Sequence, residues 1–138
     1  MAAKDVFHDA VKNALIKDGW TITNDPLTLK WGNDNMFVDL GAEKLLTAER
    51  GGKTIAVEVK SFIGASEVRE LEQAFGQYFL YRAVLEETSP ERTLYLAISD
   101  IVFRDVFEDD LGKLLMRKYN PPLMIFDSSA EEVVKWIS

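Results

Sequence analysis

The chain has 138 residues, with 23 acidic and 16 basic side chains, a formal net charge of -7, one histidine and no cysteine. The length suits one domain, expected to span residues 1–138, and a hydrophobic content of 47% excludes a disordered polymer. Without cysteine there are no disulfides, thiol nucleophiles, iron–sulfur clusters or cysteine-bound zinc; one histidine excludes two-histidine metal sites, and the acidic balance argues against a strongly basic nucleic-acid coat.

No apolar stretch approaches the ~20 residues of a membrane helix. The start, Met1 to Asp9, lacks the apolar run of a signal peptide. A cytoplasmic protein with no membrane partner is expected.

Residues 3–18 predict an amphipathic helix, because Phe7, Ala10, Val11, Ala14 and Leu15 recur at helical spacing. Gly19 is placed to end it. Trp20, Ile22, Leu27 and Leu29 alternate with polar residues across Asp25-Pro26, the pattern of two short strands or one strand broken by a turn. Gly32-Asn33-Asp34-Asn35 reads as a loop. Leu45 to Glu49 and Thr54 to Lys60 flank Gly51-Gly52, so a hairpin with a Gly-Gly turn is expected; Ala42 to Leu46 also has good helix propensity. Residues 67–87 predict a long helix, in which Val68, Leu71, Phe75, Tyr78, Phe79, Tyr81 and Leu85 keep helical spacing. Thr93 to Ile98 reads as a buried strand. Ile101 to Lys118 reads as helix, in one piece or in two around Phe107-Glu108, ended by Pro121-Pro122. Leu123 to Phe126 is a further short strand. Asp127 or Ser128 is expected to cap a last helix that carries Val133, Val134, Trp136 and Ile137. This alternation predicts an α/β fold, a mixed sheet flanked by helices on both faces.

Glu58-Val59-Lys60 carries the chemistry. Along a strand Ile55, Val57 and Val59 share one face, and Ala56, Glu58 and Lys60 share the other. Charges set into an apolar strand require a partner or a ligand. A two-residue Gly-Gly turn sets Glu43 opposite Lys60 and Leu45 opposite Glu58. Asp39 lies four residues earlier with the same parity, and one bulge alters the register, so both Asp39 and Glu43 stand as the second carboxylate. Paired carboxylates suit Mg²⁺ or Mn²⁺, which keeps waters and bridges to phosphate oxygens. Beside a phosphodiester such a metal polarises the ester and lowers the pKa of a bound water. Lysine then orients or deprotonates that water, or steadies the developing charge. The expected metal ligands are Asp39, Glu43 and Glu58, with Glu58 and Lys60 in catalysis.

Asp39/Glu43…Glu58-Val59-Lys60 in a hairpin followed by a helix resembles the PD-(D/E)XK nuclease superfamily, which implies a restriction-endonuclease-like sheet. Phe7-His8-x-x-Val11-x-x-x-Leu15-x-x-x-Gly19-Trp20 resembles that superfamily's first helix, with His8 where glutamate is common. Gln77-Tyr78-Phe79-Leu80-Tyr81 matches the QxxxY element of RecB-like members, whose glutamine lies near the active site. The resemblance therefore implies His8 and Gln77 as further catalytic residues. It departs at Val38, which precedes Asp39 in place of proline.

A closer resemblance covers nearly the whole chain. Ala3-Lys4-Asp5…His8-Asp9-Ala10-Val11, Ala42-Glu43-Lys44-Leu45-Leu46, Ile55 to Phe62 and Ala74-Phe75-Gly76-Gln77-Tyr78 are similar to the XisH family, the fdxN element excision controlling factors of cyanobacteria. This implies a part in site-specific DNA excision, with DNA, an XisI-like protein and a recombinase as partners. Two readings follow: a metal-dependent nuclease-like domain, or a non-catalytic regulatory subunit on the same scaffold, which the acidic balance and the departures favour. A DNA-facing side would draw on Lys4, Lys12, Lys60 and Arg69 rather than on bulk charge.

Overall fold

The computed structural model describes residues 5–47 and 51–138. Helix α1 (His8–Lys17) buries Ala10, Val11, Ala14 and Leu15. It stops at Gly19, whose φ of 92° favours glycine. The Gly19 and Trp20 N–H groups donate back to the Ile16 and Leu15 carbonyls, both at 3.0 Å, and so satisfy the last turn. The expected helix began at residue 3; residues 1–4 lie outside the described ones.

Strands β1 (Thr21–Asn24) and β2 (Leu27–Trp31) are separate, divided at Asp25-Pro26. They join different sheets. β1 pairs antiparallel with β4 (Leu40–Thr47), whereas β2 forms a two-stranded ribbon with β3 (Asp34–Val38). Trp31 pairs with Asp34, so the turn is Gly32-Asn33 alone, and Asp34 and Asn35 belong to a strand rather than to the expected loop. Gly32, at φ 60°, supplies the positive angle that a two-residue hairpin turn needs.

The main sheet has the order β1-β4-β5-β6-β7-β8. Strand β5 (Gly51–Val59) lies inside it, antiparallel to β4 and parallel to β6 (Thr93–Ser99). β7 (Leu123–Asp127) runs parallel to β6, and β8 (Glu132–Ile137) closes the edge antiparallel to β7. The two parallel crossovers carry the remaining helices. Helix α2 (Glu67–Thr88) links β5 to β6. Helix α3 (Asp100–Val102), a π-helical turn (Phe103–Phe107) and α4 (Asp110–Tyr119) link β6 to β7.

Each face of the sheet has its own apolar layer. α1 packs with Leu40, Ala42, Ile55, Val57, Val59 and Phe126 on one face. On the other, α2, the β2–β3 ribbon and the π-helical turn cover Ala56, Leu96, Ile98 and Ile125. The alternation expected of residues 55–59 is the one observed, and helices flank a mixed sheet on both sides. No helix among the described residues is long and apolar enough to cross a membrane.

Two expectations are corrected. The last element is a strand and not a capped helix. The Asp127 carboxylate accepts from the Ser129 and Ala130 N–H groups at 2.8 and 3.0 Å, which closes a tight turn. The following β-branched run then pairs along β7, where Val133 and Trp136 reach the α1 layer. The second correction is the hairpin register. Gly51 and Gly52 lie within β5, paired with Thr47 and Leu45 across a bulge, and do not form the turn. Residues 48–50, between the two strands, lie outside the described ones. Lys53 pairs with Lys44, and Glu43 faces Thr54 instead of Lys60. The slip of six residues leaves every side chain on its own face, so alternation could not choose between the registers. The one adopted sets Leu40 and Ala42 against Val57 and Ile55, all fully buried.

Candidate functional site

The site forms where β5 ends. Glu58 projects on the same face as Ala56, toward α2, and is 5% exposed. The residue between β3 and β4 is Asp39, which the observed register carries to Glu58. Its N–H donates to Glu58 Oε1 at 3.2 Å, and its own Oδ2 accepts from the Val59 N–H at 2.8 Å. Lys60 Nζ stands 3.7 Å from Glu58 Oε2. Two residues past the strand, the Ser61 N–H donates to Asp5 Oδ2 at 3.1 Å, which ties the segment ahead of α1 to the end of β5.

Helix α1 brings in His8. The imidazole is buried, with Nδ1 3.9 Å from Asp39 Oδ1 and Nε2 2.8 Å from Asp25 Oδ1. Lys12, one turn further along α1, reaches Asp25 Oδ2 at 2.8 Å. Gln77 stands one turn before Tyr81 on α2, and its Oε1 is buried without a partner.

The electrostatics are those of crowded carboxylates. Burial, then the neighbouring Asp39 charge, push the Glu58 carboxyl up to about 8; Lys60 opposes the rise without cancelling it. Burial also raises Asp39, against the Val59 N–H that stabilises its anion. Tyr81 is pushed up to about 12 by burial and by the charges of Glu58 and Asp39. Asp25 behaves differently: burial works upward, but the Lys12 hydrogen bond and the His8 contact outweigh it, and its carboxyl falls below the ordinary range.

The structure thus brings His8, Asp39, Glu58 and Lys60 into one chain of contacts. It does not bring Glu43 there. That side chain is exposed, opposite Thr21 and Thr54, four positions along β4 from Asp39. Sequence reasoning missed Asp25 and Asp5, placed Lys12 only on a DNA-facing side, and met Tyr81 only as the tyrosine of the QxxxY element. The i, i+4 spacing of His8 and Lys12 was the one available signal for a shared acceptor.

A divalent cation fits this donor set. The buried Glu58 carboxylate, raised by burial and by the charge of the half-buried Asp39 beside it, would be relieved by positive charge between the two. Among the described residues no three His, Asp or Glu side chains converge as a protein-only cage. Such a site suits an ion that keeps its waters, as Mg²⁺ does, held through one or two carboxylates.

A family model described as XisH protein matches residues 1–134. No curated protein matches significantly. The crystal structure of an XisH family protein from Nostoc punctiforme is similar at 40% identity, with a TM-score of 0.87 over 97% of this chain and 100% of that one. That of an fdxN element excision controlling factor protein from Anabaena variabilis is similar at 38% identity, with a TM-score of 0.87 over 98% of this chain and 100% of the other.

Proposed function

The chain belongs to the XisH family, and from that premise we propose that it takes part in controlling DNA excision through a divalent-metal phosphodiester site built on Asp39, Glu58 and Lys60. The observation that carries this reading is the carboxylate pair at the end of an interior strand, with a lysine at 3.7 Å. Its DNA-excision half rests on the Anabaena relative, which is an fdxN element excision controlling factor. Asp39 and Glu58 would hold Mg²⁺ or Mn²⁺, with His8 Nδ1 on the Asp39 side. When bound, the metal supplies Lewis-acid polarisation of the phosphodiester and a water of lowered pKa.

The protein groups do the rest. Lys60 is held beside Glu58 with its ammonium partly open to solvent, where it can orient the attacking water and neutralise charge developing on phosphate. The buried Gln77 Oε1, which lacks a donor among the described residues, is suited to accept from a water. The Val59 and Asp39 N–H bonds fix the two carboxylates, so orientation is set before substrate arrives. DNA is the substrate class, and an XisI-like protein and a recombinase are the proposed partners.

Supercoiled plasmid incubated with the protein in Mg²⁺ or Mn²⁺ tests this. The expected outcome is nicking or cleavage, lost in Glu58→Ala and reduced about 10²–10³-fold in Lys60→Ala. Cleavage unchanged in both variants would contradict the reading. A non-catalytic regulatory subunit is the second reading, favoured by the apolar surface at Phe79, Leu80 and Tyr119, each at least 40% exposed. It predicts no hydrolysis in any metal and stable capture of an XisI-like partner, lost on Leu80→Glu.

A further inference from the structure

We infer that Asp25 is a positioning residue of this site: it fixes His8 with its proton on Nε2 and turns the bare Nδ1 toward Asp39. The consequence for cation binding rests on the metal reading above; the tautomer does not. His8 is 3% exposed, so its ring nitrogens must be satisfied by the protein or by a ligand. An ionised carboxylate can only accept, and Asp25 Oδ1 lies 2.8 Å from Nε2, so Nε2 carries a proton.

Asp25 is itself gripped. Its Oδ2 accepts from Lys12 at 2.8 Å, and Lys12 shares a face of α1 with His8. Held at both oxygens, the carboxylate has no freedom to turn from the imidazole. The opposite nitrogen is the unusual one. Nδ1 is buried without a hydrogen-bond partner, and the nearest charged atom, Asp39 Oδ1, is 3.9 Å away. A histidine serving only as core packing gains nothing from such an orphaned atom. An imidazole hydrogen-bonded to a carboxylate through one nitrogen and open at the other is the arrangement in which histidine binds a cation. Asp25 therefore acts through His8 on cation binding at Asp39 and Glu58, without touching the cation.

The protein has one histidine, so a long-range ¹H–¹⁵N spectrum of the metal-free chain reports a single ring. The expected spectrum has a protonated Nε2 and an unprotonated Nδ1. In Asp25→Asn the amide can donate to the ring, and the proton moves to Nδ1. In Asp25→Ala the preference disappears. Mn²⁺ titrated by calorimetry binds Asp25→Asn about 10–100-fold more weakly than wild type. A wild-type ring protonated on Nδ1 or on both nitrogens overturns the inference, and so does an Asp25→Asn spectrum identical to wild type. The wild-type spectrum needs no variant, so a folding defect in either substitution leaves the test standing. The expected tautomer without Mn²⁺ binding to wild type would uphold the positioning and defeat the metal reading.

Discussion

Glu58 holds its proton to about pH 8 in the folded chain, against an ordinary value of 4.5. The unfolded chain gives that proton up first, so the native state binds more protons between those values and folding weakens as pH rises through them. Metal-free wild type should therefore lose thermal stability from about pH 4.5 to 8. Glu58→Gln should flatten that slope and melt higher at pH 8, by roughly 1–3 kcal/mol. Added Mn²⁺ should restore wild type and not the variant, a difference read by melting curves at several pH values. Asp39→Asn removes the like charge, so the slope should move toward lower pH. Much at this scale was legible: a charged pair inside an apolar strand announced Glu58 and Lys60. The choice of Asp39 over Glu43 was not, because both share a parity and only the register separates them. Asp25 was invisible, since its contact with His8 spans 17 residues without any periodic spacing.

Local chemistry foretold those elements that bury a regular stripe. α2 shows it well: Leu71, Phe75, Tyr78, Tyr81 and Leu85 are buried, while Val68 and Phe79 of the expected set stay exposed, and the Ser66 hydroxyl caps the first turn by accepting from the Arg69 N–H at 3.2 Å. Ser66→Ala should cost about 1 kcal/mol in urea denaturation. Of the two readings of residues 101–118, one helix or two pieces around Phe107-Glu108, the structure has the break, between the π-helical turn and α4, and close packing explains why it is tolerated. Gly112 is buried there, and a Cβ on it would meet Val106 O and, at 2.6 Å, Phe107 Cα. Gly112→Ala should therefore destabilise by roughly 1–3 kcal/mol, despite alanine's better helix propensity. Helical spacing misled at residues 131–137, where edge pairing to β7 outweighed it. The Gly-Gly hairpin misled for a similar reason: glycine permits a turn, but burial of Leu40 and Ala42 chose the register.

At the scale of the whole molecule, a net charge of -7 leaves few cations for DNA. Of the expected set, Lys4 lies outside the described residues; among those described, Lys12 is paired with Asp25 and Lys60 stands beside Glu58, which leaves Arg69. Few phosphate contacts mean a shallow salt dependence, and Arg69→Ala should reduce the slope of log affinity against log salt by about 1. A cation at the carboxylate pair would remove repulsion where the backbone must approach, so divalent metal should tighten DNA binding, as a filter or anisotropy titration would read. Most of the order of elements up to β7 and the two covered faces were legible because they follow from composition and period. The crossing of β3 into β4 that delivers Asp39 was not, because it depends on which strands meet. The central claim is that Asp39 and Glu58 form a divalent-cation site, and a crystal soaked in Mn²⁺ tests it most directly. Anomalous density should appear about 2.0–2.6 Å from carboxylate oxygens of both Asp39 and Glu58. At saturating Mn²⁺, density at Glu43 instead, or none beside Glu58, would contradict it.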